Sequence, residues 1–307
     1  AVNAGRLVRA ADVAGALTTE VTMSSTVPSH PAIQAVRPHE GQAASARNVR
    51  RLTADSEIVE SHRNCDRVQD AYSTRCLPQV HGAVRDAVAH LREAVETELN
   101  SATDNPLVFP REAREAREAR PEGAPRDGRA GREVTREARP EGAPRDGRAG
   151  REATREARPE GAPRDERASG TESVAVLSGG NFHGEVLALR LDYLTSALTE
   201  LAAVAERRVD RMLNPNTQEP HLSPFLTPDP GLSSGYMIAQ YTAAALVNEC
   251  RATGQPSTDN TPVSGNQEDH VSMSATAAHE ARETARRVRE VIAVELLCAA
   301  QAAEFVD

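Results

Sequence analysis

The sequence predicts an all-α fold, a bundle of long helices interrupted by one charged repeat insertion. Three observations predict it. Apolar residues step by three and four over long stretches, strand signals are sparse, and residues 111–170 carry almost no large apolar side chain.

The first helical stripe is Val80, Val84, Val88, Leu91, Val95 and Leu99. The second, within 185–213, is Leu187, Leu191, Leu194, Leu198 and Leu201. Tyr236 to Cys250 and Ser274 to Phe305 are rich in helix formers. Neither leucine stripe is long enough for a coiled coil, so both read as core helices of a bundle. In the insertion, Arg117-Glu118-Ala119-Arg120-Pro121 recurs at Arg136 and Arg155, a period of 19 residues. Such a unit cannot bury enough surface to offset its ordering entropy, and a solenoid would need an apolar face in each copy. The chain therefore divides into a helical segment over 1–110, a repeat insertion over 111–172 and a helical continuation over 173–307.

The 307 residues suffice for a sizeable core, and no run approaches eighteen apolar residues, so no membrane partner is expected. Residues 1–22 mix Arg6, Arg9, Asp12 and Glu20 into an alanine-rich stretch, which is no secretory signal. The first residue is Ala1, which suggests a processed or truncated start. Four cysteines, Cys65, Cys76, Cys250 and Cys298, fit no metal spacing and suggest reduced thiols in a cytoplasmic protein. All 36 basic residues are arginines; 16 of them lie in 111–170 beside 14 acids. The other 247 residues hold 20 arginines against 31 acids, a net of −11, which argues against nucleic acid as a partner.

Polar residues collect in four segments. Asp66 to Cys76 includes Tyr72 and Arg75, three apart and on one face if helical, and arginine is the natural bidentate partner of a carboxylate. Asn100 to Pro106 is a polar helix terminus. Ser178-Gly179-Gly180-Asn181-Phe182-His183-Gly184 offers three glycines that permit close approach of backbone or ligand. Gly265 to Met273 contains Gln267-Glu268-Asp269-His270. Singly, each has a plain alternative: a surface ion pair at Arg75, a turn at the glycines, a helix cap at Glu268. His183, His270 and the carboxylates lack the spacing of a helical metal motif.

Together the segments resemble the histidine ammonia-lyases, within the aromatic amino acid ammonia-lyase family. Gln69-Asp70, Tyr72-Ser73, Arg75-Cys76, Pro78-Gln79-Val80-His81-Gly82, Asn100 to Val108, Gly179 to Gly184, Phe225 to Gly231 and Gln267 to Met273 carry the resemblance in order and spacing. Arg37-Pro38-His39 with Gly41-Gln42, and Leu296 to Gln301, extend it to both ends. The resemblance places the chain in the carboxy-terminal part of such an enzyme. It implies a helical homotetramer whose sites are assembled from several subunits, and non-oxidative elimination of ammonia from histidine to give urocanate in histidine degradation. It also implies a methylidene-imidazolone prosthetic group made from an internal Ala-Ser-Gly. On the same basis Tyr72 is a base or proton relay, Arg75 clamps the substrate carboxylate, and Gln69 and Asn105 hydrogen-bond near the electrophile. Phe182 walls the pocket and Glu268 meets the substrate imidazole.

Three departures qualify this. The electrophile-forming segment of the family lies well upstream of the tyrosine–arginine motif, and only 68 residues precede Gln69. The Ala168-Ser169-Gly170 that is present ends a charged repeat and lacks apolar flanks, so Ser169 reads as a decoy. Ala71 stands where the family usually has proline, and Arg251 to Thr261 matches poorly. The expectation is a lyase part that is inactive alone and complemented by an amino-terminal half. The alternatives are a non-catalytic remnant, or a phenylalanine or tyrosine ammonia-lyase; those relatives carry glutamine at the position of Glu268.

Overall fold

The computed structural model describes residues 1–62, 67–109, 175–258 and 262–306. They fall into two units, Ala1–Asp104 with Gly180–Asp307, and Asn105–Gly179. The first is a helical bundle. Its elements are α1 (Val2–Val21), α2 (Pro31–Ala35), α3 (Glu40–Leu52), α4 (Glu57–Ser61), α5 (Tyr72–Arg75), α6 (Leu77–Leu99), α7 (Glu185–Leu213), α8 (Met237–Arg251) and α9 (Ser274–Ala303). The mainly helical architecture expected from the stripes is what the structure has.

Each long helix forms where its stripe lies. Helix α6 buries Val84, Val88 and Leu91, and α7 buries Leu194, Leu198 and Leu201. Glu185 in the first turn and Arg211 in the last turn of α7 suit its dipole. Helices α7 and α9 run against each other as the centre of the bundle, with α1, α6 and α8 packed around them. One apolar cluster joins Leu7, Val8, Val88, Leu91, Leu198, Val291 and Ile292; a second joins Val21, Val209, Met212, Leu222, Leu226 and Cys298. Burial first, and then the nearby Glu295 carboxylate, push the Cys298 thiol up to about 12. Cys76, Cys250 and Cys298 are free thiols; Cys65 lies outside the described residues.

Backbone contact fixes α3 against α6. A Cβ on Gly82 would stand 2.4 Å from both N and Cα of Gln42, and one on Gly41 would stand 2.2 Å from the Gly82 carbonyl oxygen. The two glycines of the sequence motifs thus let two helices touch through their main chains.

Beside this crossing Asp12, buried in α1, accepts from His81 Nδ1 at 2.9 Å, from Asn48 Nδ2 at 2.7 Å and from Arg85 Nη2 at 2.5 Å. Burial lifts the Asp12 carboxyl, but the bonds from His81 and Asn48 and the Arg85 charge outweigh it and hold its pKa below the usual value. For His81 burial dominates over the bond to Asp12, and the ring is held below 6.5. A histidine whose folded pKa is lowered gains protons on unfolding. The stability it contributes is therefore complete above about pH 6.5 and drains away as pH falls. Thermal unfolding is expected to show a midpoint that drops between pH 7 and pH 5. A His81→Gln variant should flatten that slope, and an unchanged slope would remove His81 as its source.

In the second unit β1 (Leu107–Phe109) pairs antiparallel with β2 (Ala175–Leu177), Leu107 opposite Leu177 and Phe109 opposite Ala175. The repeat insertion, and with it the boundaries drawn at 110–111 and 172–173, lies outside the described residues. Among the described residues no helix is long and apolar enough to cross a membrane.

Candidate active site

Tyr72 and Arg75 occupy the single turn α5. Ala71 leads into it with φ −60 and ψ 147, so it holds the φ a proline would impose, and the departure from the usual proline leaves this entry undisturbed. The turn closes through Arg75 N–H to the Ala71 carbonyl at 2.8 Å and Cys76 N–H to the Tyr72 carbonyl at 2.8 Å. Tyr72 is 73% exposed. Arg75 is half-buried, and its guanidinium has no hydrogen-bond or ion-pair partner among the described residues. Among the described residues the surface ion pair that a lone arginine suggests is not formed.

The preceding strand of chain is held at both ends of Gln69. Arg67 Nη1 donates to the carbonyls of Thr22 and Met23 at 3.1 and 3.2 Å and to Asp70 Oδ1 at 3.2 Å. Its other nitrogen bonds Glu219, which Arg211 also holds at 2.6 Å. Asp70 in turn accepts from the Ser25 N–H at 2.8 Å. Gln69 itself stays exposed.

Beneath α5 lies the fully buried pair Arg208–Glu295, which spans α7 and α9. Arg208 Nε and Nη2 meet the two Glu295 oxygens at 2.5 and 2.9 Å, and Thr18 Oγ1 donates to Glu295 at 3.0 Å. The remaining Arg208 arm, Nη1, donates to the Ser73 carbonyl at 3.2 Å.

Phe182 and Glu268 sit on two loops that the bundle brings side by side. His183 Nε2 lies 3.1 Å from the His270 carbonyl, and the two imidazoles stack at 5.6 Å and 9°. A Cβ on Gly184 would stand 2.4 Å from Ser274 Oγ. A Cβ on Gly179 or Gly180 would meet no described atom within 4 Å, so Gly184 alone among the three serves a close approach. Phe182 is 60% exposed. The Glu268 loop reverses tightly through Ser264, Gly265 and Asn266, with φ of 50, 64 and 70. Val263 N–H donates to the Glu268 carbonyl, and Ser264 Oγ donates to Glu268 Oε2, both at 3.0 Å. Ser264 and Asn266 hold this region of φ on an exposed loop, Ser264 at the greater cost, a pattern common where a side chain has to be aimed. Glu268 caps no helix: α9 begins at Ser274, with Met273 at the N-cap position.

Asn105 belongs to the second unit, where its Oδ1 accepts from Ser178 Oγ at 3.1 Å and from Gly179 N–H at 2.8 Å. Within the first unit Tyr72 and Arg75 share one turn and Phe182 and Glu268 share another corner. No hydrogen bond or ion pair joins the two groups among the described residues. Among the described residues no group of three His, Cys, Asp or Glu side chains is placed to hold a metal. Sequence reasoning missed the residues that hold these segments, Arg67, Arg208, Glu219 and Glu295. The pairing of Arg67 with Asp70 has a local signal, three residues apart, and the others have none.

A sequence profile described as aromatic amino acid lyase matches residues 1–307. A probable histidine ammonia-lyase of Halobacterium salinarum is 58% identical over 306 residues, all of this chain and 49% of the relative. The histidine ammonia-lyase of Stigmatella aurantiaca is 42% identical, over 96% of this chain and 46% of its own length. Among solved structures, histidine ammonia-lyase from Trypanosoma cruzi superposes with a TM-score of 0.71 at 35% identity, covering 99% of this chain and 45% of that one. Phenylalanine ammonia-lyase from Rhodosporidium toruloides, at 20% identity and a TM-score of 0.72, shares the fold. The chain spans about half the length of the curated relatives it matches.

Proposed function

Because the chain belongs to the aromatic amino acid lyase family, we propose that it forms part of a histidine ammonia-lyase, which eliminates ammonia from L-histidine to give urocanate. The observation that carries this reading is Arg75: a half-buried cation with no anionic partner among the described residues, on the same turn as an exposed tyrosine hydroxyl. A guanidinium so placed receives an amino-acid carboxylate through two parallel N–H···O bonds. Tyr72 takes the β-proton as base or relay, a weakly acidic proton that only a positioned group can remove at a useful rate. Glu268, aimed by its strained loop, pairs with the substrate imidazole, and Phe182 covers one wall. This imidazole contact favours histidine over phenylalanine, whose ring has no polar hydrogen for a carboxylate, and over tyrosine, whose neutral phenol brings one O–H and no positive charge.

A methylidene-imidazolone ring supplies the electrophile that turns the amino group into a leaving group. The exposed carboxamide of Gln69 fits such a ring, since a neutral N–H donor suits its carbonyl oxygen without quenching its electron deficiency. Ala168-Ser169-Gly170 lies outside the described residues, and its charged setting makes Ser169 a poor source of the ring. The site is completed between chains. Exposed Val186, Leu189 and Tyr193 on α7 and Ile238 and Tyr241 on α8 are apolar surface suited to a homotetramer.

The test is co-expression of this chain with the portion of the Halobacterium salinarum relative that it does not cover. Histidine should then give absorbance at the urocanate band, and the 307-residue polypeptide by itself should give none. Clear turnover by the polypeptide alone would sink the need for a complementing part; a soluble, assembled and inert complex would favour a non-catalytic remnant. In the active complex Glu268→Gln removes a charge at constant shape. It should raise KM for histidine and leave the melting temperature in place, and an unchanged KM would dismiss the imidazole contact.

A further inference from the structure

We propose that the buried Arg208–Glu295 pair is a positioning device for the tyrosine–arginine turn, fixing Tyr72 and Arg75 through the Ser73 carbonyl that lies between them. The inference rests on the reading of these two side chains as substrate-facing groups.

The argument begins with what the pair does not explain. Both side chains are fully buried, on helices that already pack along their length through leucine, valine and isoleucine. Taking two charges out of water costs nearly as much as their attraction returns, and a well-packed apolar pair of similar volume is commonly as stable or more so. Stability therefore gives little reason for a guanidinium at this place. Geometry gives one. Nε and Nη2 dock as a planar fork on both Glu295 oxygens, and Thr18 Oγ1 adds a third donor to that carboxylate, so the fork has one permitted orientation. The fixed fork leaves Nη1 pointing at α5, where it meets the Ser73 carbonyl at 3.2 Å.

That carbonyl belongs to a turn of four residues, too short to hold its own shape and lying on the bundle by few contacts. A rigid donor from the bundle core supplies what the turn lacks. Ser73 carries the anchor, and Tyr72 just before it and Arg75 two residues after it inherit the position. Lysine cannot reproduce this, because one ammonium lacks the planar fork that both grips Glu295 and reaches Ser73.

The experiment uses the full chain with 3-fluorotyrosine at its four tyrosines, Tyr72, Tyr193, Tyr236 and Tyr241. The Tyr72 fluorine resonance is assigned by its disappearance in Tyr72→Phe. Tyr193, which meets His90 edge-on at 6.3 Å, and Tyr236, bonded to Gln301 at 3.3 Å, report the bundle itself. In the double variant Arg208→Met with Glu295→Met, the Tyr72 resonance should shift and narrow while those two reporters stay in place. Arg208→Lys should move Tyr72 in the same sense by a smaller step. In the complex that turns over histidine, the double variant should lose about 100-fold in kcat/KM, the usual result of an ångström-scale misplacement.

A Tyr72 resonance that stays put in both variants overturns the proposal. So does a shift shared by all four tyrosines, which would make the pair a general support of the bundle. If the double variant does not fold, Arg208→Lys decides alone, by whether Tyr72 moves by itself. Absence of urocanate in the unmutated complex counts against the lyase reading and leaves the fluorine result intact.

Discussion

Arg75→Ala is expected to lower kcat/KM for histidine in the complemented enzyme by about 2–5 kcal/mol of transition-state binding, the usual loss when a desolvated carboxylate is deprived of its partner. The size of the effect follows from where Arg75 stands. An exposed arginine paired to another surface charge would be worth under about 1 kcal/mol, because water and salt screen it. Arg75 is half-buried and its guanidinium is unpaired among the described residues, so a substrate carboxylate entering there has no competitor. Arg75→Lys should recover only part of the loss, since an ammonium cannot grip both oxygens at once. Steady-state kinetics at varied histidine, with melting temperature as the control for folding, checks both variants. Equal kcat/KM for the alanine variant and the parent would withdraw Arg75 from substrate binding altogether.

The largest stability effect should come from Gly82→Ala, a single methyl at the crossing of α3 and α6. Its Cβ would stand 2.4 Å from two backbone atoms of Gln42 and 2.8 Å from the Gly41 carbonyl carbon. A flexible side chain could swing away; main chain in the first turn of α3 cannot move without the helix. The helices must separate, which opens the packing around buried Val84 on α6 and Ala46 and Val49 on α3. Overpacking of this kind costs about 1–3 kcal/mol and more where backbone has to shift. Denaturant titration should show a lower midpoint at an unchanged m-value. Gly179→Ala, whose added Cβ would meet no described atom within 4 Å, is the matched control and should be near neutral. A Gly82→Ala protein as stable as the parent would mean that α3 and α6 do not approach as described.

The two substitutions also separate what could be read in the sequence from what could not. The long helices were legible because burial on one face imposes a period on the chain: Val84, Val88 and Leu91 mark α6, and Leu194, Leu198 and Leu201 mark α7. Tyr72 and Arg75 were legible as neighbours because three residues make nearly one helical turn. Gly41 and Gly82 were visible as motif glycines, but the partner each one faces is far along the chain, so their purpose was not. The charged core residues were hidden for a related reason. Arg208 stands in the run Glu206-Arg207-Arg208, which looks like a solvated face, and Glu295 lies 87 residues away. Nothing local tells a buried arginine from an exposed one; only the docking of α7 on α9 does. The same holds for Asp12 in its alanine-rich stretch, whose partners Asn48, His81 and Arg85 come from two other helices. The glycines of 178–184 misled in the other direction, since two of the three have no described neighbour to make room for.

Asp12 has a consequence for how the bundle opens. One carboxylate on α1 serves donors on α3 and α6, and both its oxygens are engaged. Unravelling any of the three helices at this level strips hydrogen bonds from the other two and leaves a charge or an imidazole without a partner in a dry interior. Local fraying is thereby made as expensive as a concerted event. Amide protons around Asp12, Asn48 and His81 should then exchange with solvent together, in a single step, with the three helices as one cooperative unit though the sequence places the bonded residues up to 73 positions apart.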